Sequence, residues 1–175
     1  MIKIERTEPW ICEGANEWLD KFFKYKKKKS LDILEFGMGA STLWFLKQEQ
    51  TDTLTSVEHH EEYFNIVTSA AKESIKNGDF HPILQPTPYE SICDTLINST
   101  FDIILVDGRN RVRCIKASIT KLKEGGILIL DNSETHWYKP GIELMKDWKK
   151  ITFLQPYPDK YGYTYPGWET TIFFK

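Results

Sequence analysis

Five short apolar runs, at residues 31–36, 53–58, 82–85, 101–107 and 126–130, alternate with segments whose apolar residues recur at helical spacing. Few folds accommodate that alternation. Strands separated by helices run parallel, and continuous runs such as LDILEF and FDIILV suit strands covered on both faces. An α/β fold with helices on both sides of a sheet is expected. An amphipathic helix over residues 10–28 opens the chain. Between the fourth and fifth runs, Val112, Ile115, Ile119 and Leu122 form one apolar stripe, predicting a core-facing helix that Gly125 and Gly126 end. A further helix near residues 141–149 leads to strands at 151–154 and 170–174, both rich in β-branched or aromatic residues. At 175 residues, one domain is expected, with an N-terminal helical segment at 1–30 and the α/β core at 31–175.

Composition narrows the classes. Hydrophobic residues make up 41% and charged residues 27%, and no apolar run reaches bilayer length. Lys3, Glu5, Arg6 and Glu8 interrupt the N-terminus, so no secretory signal is expected and a cytoplasmic location follows as the default. Three widely spaced cysteines, Cys12, Cys93 and Cys114, form no metal or disulfide pattern and are expected to be reduced. A net charge of -2 argues against nucleic acid as partner. Lys21, Lys24 and residues 26–29 make one basic cluster, expected at a solvated helix end, with an anionic partner as the alternative.

The stretch EFGMGAST follows the first run. Gly37 and Gly39 permit a tight turn and close approach of backbone to a ligand, and Ser41 or Thr42 can cap the helix beyond. Dinucleotide-binding loops share this pattern, with a third glycine where Thr42 stands here. Glu35 is awkward beside a pyrophosphate and suitable near a sulfonium or ammonium. The second run ends in SVEHHEEY, placing Glu58 where an acidic side chain can accept hydrogen bonds from both hydroxyls of a ribose. His59 and His60 face different ways and are expected at the surface, with His59 kept among the cofactor-side candidates.

EFGMGAST, SVEHHEEY, FDIILVDGRNR and GGILILDNSE, in this order, resemble the class I S-adenosylmethionine-dependent methyltransferases over nearly the whole chain. The resemblance implies a Rossmann-like three-layer sandwich with a seven-stranded, mostly parallel sheet, its last strand antiparallel and inserted beside the fifth. It implies S-adenosyl-L-methionine as cofactor, with Glu35, Gly37, Met38 and Gly39 lining its methionine part and Glu58 on its ribose; Ser41 and Thr42 are kept among the cofactor-side candidates. Asp107 then sits near the methionine end or the acceptor, and Tyr89, in QPTPYE, is named as an adenine neighbour. VDGR replaces the proline-aromatic segment of methyltransferases acting on nucleic-acid amino groups. No paired-glutamate hairpin of the protein arginine methyltransferases is present either. The expected acceptor is a small molecule.

Ligands of parallel sheets bind outside the carboxyl ends of the strands, which puts Asp107, Asp131 and Asn132 at one crevice. Three of four arginines, Arg109, Arg111 and Arg113, follow Asp107 directly, and an arginine fork suits a carboxylate or phosphate. An anionic acceptor is one option, with Arg109, Arg111, Asn132, Tyr163 and Trp168 as candidate acceptor contacts; surface pairing of the arginines is the other. Asp107, Asp131 and Asn132 also resemble the Mg²⁺ ligands of catechol-type O-methyltransferases, a reading not favoured because Asp-Asn is a common turn pair. If a hydroxyl accepts the methyl group, Asp107, Asp131 and His136 are the candidate bases. The loop at 155–168 carries four tyrosines and Trp168 and is expected at the active face; Trp10 and Trp18 either close the same pocket or, as their helical spacing favours, pack in the core. Two alternatives stay open: a non-catalytic S-adenosylmethionine- or nucleoside-binding domain, and an NAD-dependent oxidoreductase. Oligomeric state is left open.

Overall fold

The computed structural model describes residues 4, 6–26, 30–155 and 167–175. Its centre is a seven-stranded sheet built from β1 (Leu31–Phe36), β2 (Thr51–Glu58), β3 (Phe80–Leu84), β4 (Phe101–Val106), β5 (Leu122–Asp131), β6 (Lys149–Leu154) and β7 (Glu169–Phe174). The order across the sheet is β3-β2-β1-β4-β5-β7-β6. The first five strands pair in parallel, while β7 lies between β5 and β6 and is antiparallel to both. The expected topology, with the last strand inserted beside the fifth, is therefore present.

Strand alternation divides the core in two. Leu31, Ile33, Ile103, Leu105, Ile127, Ile129 and Ile172 face one layer, where they meet α1 (Glu13–Tyr25), α2 (Ala40–Phe45) and α3 (Glu61–Ala70) through Leu19, Phe23, Phe45 and Val67. Leu34, Phe36, Ile104, Val106, Leu128, Leu130 and Phe173 face the other layer, against the short 3-10 helix Tyr89–Asp94 and α5 (Arg111–Ser118). Between β2 and β3, α4 (Lys72–Asn77) continues from α3, and α6 (Lys139–Glu143) follows β5. Among the described residues no helix is long and apolar enough to cross a membrane. All three cysteines are free and buried, and burial pushes the thiols of Cys12 and Cys93 up to about 11 and that of Cys114 to about 12.

Some boundaries differ from the sequence reading. The first helix begins at Glu13, so Trp10 precedes it, and it ends at Tyr25; residues 27–29 of the basic cluster lie outside the described residues. The stripe through Leu122 crosses two elements: α5 stops at Ser118, and Leu122 already pairs with Phe101. Gly125 and Gly126 do not end a helix. They sit within β5 where the register slips between the Leu122 and Ile127 pairings, with Gly125 at φ +75°. A bulge needs this freedom, and helical spacing across a helix-strand junction mimicked a longer helix. The helix expected near 141–149 is the five-residue α6, where Gly141 lets the chain pack within 2.9 Å of the Ile115 methyl from its would-be Cβ.

Candidate active site

The sequence turns sharply after β1 because Gly37 adopts φ +97° and lies against the backbone of the β4 loop, where an added Cβ would stand 2.9 Å from Gly108 Cα. Gly108 is equally confined, by Tyr89 and by the Phe36 carbonyl. Two glycines thus let the loops after β1 and β4 meet and form one floor. Gly108 was not singled out from sequence, although its place directly after the strand-ending Asp107 was a usable signal.

Glu35 lies beneath this floor rather than on it. Its carboxylate is fully buried and accepts hydrogen bonds from Ser41 Oγ (2.5 Å), Thr42 Oγ1 (2.6 Å) and Ser56 Oγ (2.5 Å). Thr42 Oγ1 in turn accepts the Gly39 N–H at 3.0 Å. The hydroxyls tie the start of α2 to β1 and β2, so Glu35 and Thr42 shape the loop from below while Ser41 reaches the cleft wall. Burial pushes the Glu35 carboxyl up to about 7, against the three hydroxyls that favour its ionised form. Folding therefore favours the protonated acid, and the stability it contributes is fully present below pH 4.5 and lost as pH rises through 7. Over that window the native protein is expected to lose on the order of 3 kcal/mol relative to Glu35→Gln. Urea unfolding of both proteins from pH 5 to 8 measures the difference, and parallel curves would rule out this role for Glu35.

Glu58, at the end of β2, is 4% exposed and lines a cleft of about 1140 Å³. Its Oε2 accepts the Met38 N–H at 2.9 Å, and its Oε1 accepts those of His59 (2.8 Å) and His60 (2.7 Å). The Gly37 N–H goes to the Val57 carbonyl at 2.9 Å. All three glycine-loop N–H groups are thus engaged within the protein, leaving none for the pyrophosphate that a dinucleotide loop cradles. Gly39, by contrast, has nothing within 4 Å of its would-be Cβ. The loop offers open space and a carboxylate with remaining acceptor capacity, which suits a nucleoside with a cationic substituent such as S-adenosylmethionine.

Opposite stand Asp107 and Asp131, at the ends of β4 and β5, with Arg111 clamped on both. The guanidinium Nη2 donates to Asp107 Oδ1 at 3.1 Å, Nη1 donates to the Asp131 carbonyl and lies 3.7 Å from Asp131 Oδ2, and Nε donates to the Gly108 carbonyl at 3.0 Å. Thr170 Oγ1 donates to Asp131 Oδ1 at 2.7 Å. Burial, then the neighbouring Asp131, holds the Asp107 carboxyl well above the usual carboxylate range despite Arg111. Burial likewise pushes Asp131 up to about 6, opposed by Arg111 and Thr170. A guanidinium where a divalent cation would have to stand makes Asp107, Asp131 and Asn132 a poor fit for Mg²⁺. No group of three His, Cys, Asp or Glu suited to a metal occurs among the described residues.

The remaining candidates divide. Met38, His59, Arg109, Asn132 and Trp168 line the cleft, together with Trp10, one of two tryptophans the sequence offered for the pocket or the core, and His60, Tyr63 and Tyr138, which the sequence reading placed elsewhere or left unassigned. Arg111 serves as the carboxylate clamp, and Arg113 pairs with Glu90 Oε1 at 2.5 Å. Tyr89 is fully buried; its hydroxyl donates to the Arg109 carbonyl at 2.6 Å and its ring packs on Phe36. It supports the β4 loop from below and does not line the cleft itself, touching it through Arg109, Gly108 and the His59 ring. His136 is exposed against Trp137, off the cleft wall. Trp18 is partly buried and packs on Phe22 and Phe174 against the core, off the cleft wall. Tyr163 and the other loop tyrosines lie outside the described residues.

Solved structures share this architecture. A Thermotoga maritima S-adenosylmethionine-dependent O-methyltransferase superposes with a TM-score of 0.65 at 11% identity, covering 97% of this chain and 68% of its own. A candidate O-methyltransferase from Klebsiella pneumoniae gives 0.71 at 16% identity, covering 95% and 83%. M. jannaschii TYW2, solved with S-adenosylmethionine, gives 0.60 at 11% identity, covering 95% and 77%. At these identities the likeness is one of fold. No curated protein sequence matches the chain. The profile of the family described as "Methyltransferase domain" matches residues 34–133, more than half the chain and the whole span from the Glu35 brace to the Asp131 strand end. The chain therefore belongs to the methyltransferase-domain family, among the class I S-adenosylmethionine-dependent methyltransferases.

Proposed function

We propose that this protein transfers the methyl group of S-adenosylmethionine to an oxygen atom of a small-molecule acceptor. The observation that carries the reading is the Glu58 carboxylate at the cleft wall, locked to the Met38 N–H beside the open backbone of Gly39. Glu58 would accept the ribose hydroxyls, and the backbone at Gly37 to Gly39 would run beside the amino-acid part of the cofactor, with His59, His60 and Tyr63 nearest the base. When bound, the cofactor supplies an activated methyl group on sulfur. The protein's task is then to hold the acceptor in line, which can provide much of the acceleration.

Oxygen is favoured as the methylated atom because Asp107 combines a raised proton affinity with a side chain 22% exposed, against 6% for Asp131. Asp107 is thus the carboxylate placed to take a proton from a hydroxyl. Two of the structurally similar proteins are described as O-methyltransferases, which agrees with this choice. The domain assignment, one unit over 1–175, is part of the same proposal.

Calorimetric titration with S-adenosylhomocysteine and with NAD tests the cofactor reading. S-adenosylhomocysteine is expected to bind and NAD not, and Glu58→Gln is expected to weaken the former about 10- to 100-fold, as two charge-assisted hydrogen bonds lose about 1.5–3 kcal/mol between them. Unchanged affinity in the variant would sink the ribose role, and NAD binding alone would sink the function.

A further inference from the structure

The cleft has a second half that the cofactor reading does not use. Glu58 and the glycine loop lie at the ends of β2 and β1, whereas β4, β5 and the start of β7 border the other side. There the segment before α1 crosses the start of β7: the Cys12 N–H donates to Thr170 Oγ1 at 3.0 Å and Cys12 Sγ to the Trp168 carbonyl at 3.4 Å. This crossing brings Trp10, which is 48% exposed, to the same end of the cleft as Trp168. The Arg6 guanidinium sits 4.6 Å from the Trp10 ring centroid. The Trp168 indole is 7% exposed, and its buried N–H has no hydrogen-bond partner among the described residues.

Arg109, in the loop after β4, lines the same cleft. Its backbone is fixed, because the carbonyl accepts both the Tyr89 hydroxyl and Cys114 Sγ, yet among the described residues its exposed guanidinium has no carboxylate. The acidic groups nearby are engaged elsewhere: Asp107 and Asp131 face Arg111, and Glu90 faces Arg113. An exposed guanidinium on an anchored backbone and two indoles, lining one cleft, match a ligand with a planar apolar body and an anionic group.

We propose that the methyl acceptor is an aromatic compound carrying a carboxylate or phosphate, its ring lying among Trp10 and Trp168 and its anionic group paired with Arg109. This deepens the methyltransferase reading and rests on it. Arg111 contributes nothing to the anion, since its donors are already committed to the carboxylates and to backbone carbonyls.

The test uses the whole protein saturated with S-adenosylhomocysteine and calorimetric titration with matched ligands: 4-hydroxybenzoate against phenol, 4-hydroxyphenylacetate against 4-methylphenol, and phenyl phosphate against phenol. At least one anionic member is expected to bind 10-fold or more tightly than its uncharged partner, and the carboxylate and phosphate arms tell which anion fits. Arg109→Ala should abolish the difference, and Arg109→Lys should restore part of it, because a point charge replaces a fork. No anionic preference in any pair, or a preference that survives Arg109→Ala, overturns the inference. Binding of S-adenosylhomocysteine by the wild-type protein without any anionic preference would remove this inference alone, whereas no cofactor binding at all would remove the methyltransferase reading with it.

Discussion

Arg111→Ala is expected to destabilise the protein by about 3–5 kcal/mol at neutral pH, because it strips the cation from two carboxylates that cannot both stay charged in a buried site. Arg111 is 8% exposed, and its three donor nitrogens reach Asp107, Asp131 and the Gly108 carbonyl. The side chain therefore ties α5 to the ends of β4 and β5 as well as neutralising charge. Both carboxyls are already held above their ordinary range by burial. Without the guanidinium they would rise further and bind protons at higher pH. The loss should therefore be larger at pH 8, where protonation is costlier, than at pH 5, where the two carboxyls are largely neutral. Urea unfolding at both pH values measures this, and a loss independent of pH would mean that Arg111 acts only through packing and its backbone hydrogen bonds.

The same residues mark how far the sequence could be read. Strand positions followed from runs such as LDILEF and FDIILV, because strands covered on both faces must be apolar throughout, and their order with the helices fixed a parallel sheet. β5 was harder: its bulge at Gly125 and Gly126 interrupts the pattern, and Leu122 happens to lie three residues beyond Ile119. For the site, position after a strand told which residues reach the crevice, so Gly37, Glu58, Asp107, Asp131 and Asn132 were found. Depth was less legible. Glu35 shares the strand face of Leu31 and Ile33 and so points into the α2 layer, where serine and threonine hydroxyls receive it. Tyr89 is absorbed by the core for a similar reason, the need to cover Phe36 and support the β4 loop. Roles shared between distant elements were invisible. Nothing in the spacing of Arg109, Arg111 and Arg113 says that the middle one turns inward while the outer two do not.

Asp107→Asn is expected to lower kcat for a hydroxyl acceptor by about 10²- to 10⁴-fold, the usual contribution of a positioned general base. Asparagine keeps the shape and can still accept from Arg111 through its amide oxygen, so thermal stability and S-adenosylhomocysteine affinity should change little beside the rate. The pH dependence gives the sharper discrimination. Asp107 must be ionised to accept a proton, and burial beside Asp131 keeps its proton on to a higher pH than an ordinary carboxyl. The wild-type rate should therefore rise with pH as the Asp107–Asp131 pair loses its shared proton, in a step that belongs to the pair rather than to either residue. The stability contribution of Asp131 runs the opposite way: with its folded value raised from 3.8 to about 6, it is present below pH 3.8 and lost as pH rises through 6. Rate and stability thus move against each other across the same range, since the charge that activates the acceptor is the one the buried site resists. In Asp107→Asn the residual rate should lose its rise with pH. A variant that keeps both the wild-type rate and its pH profile would show that the acceptor needs no base here and that Asp107 only holds Arg111 in place.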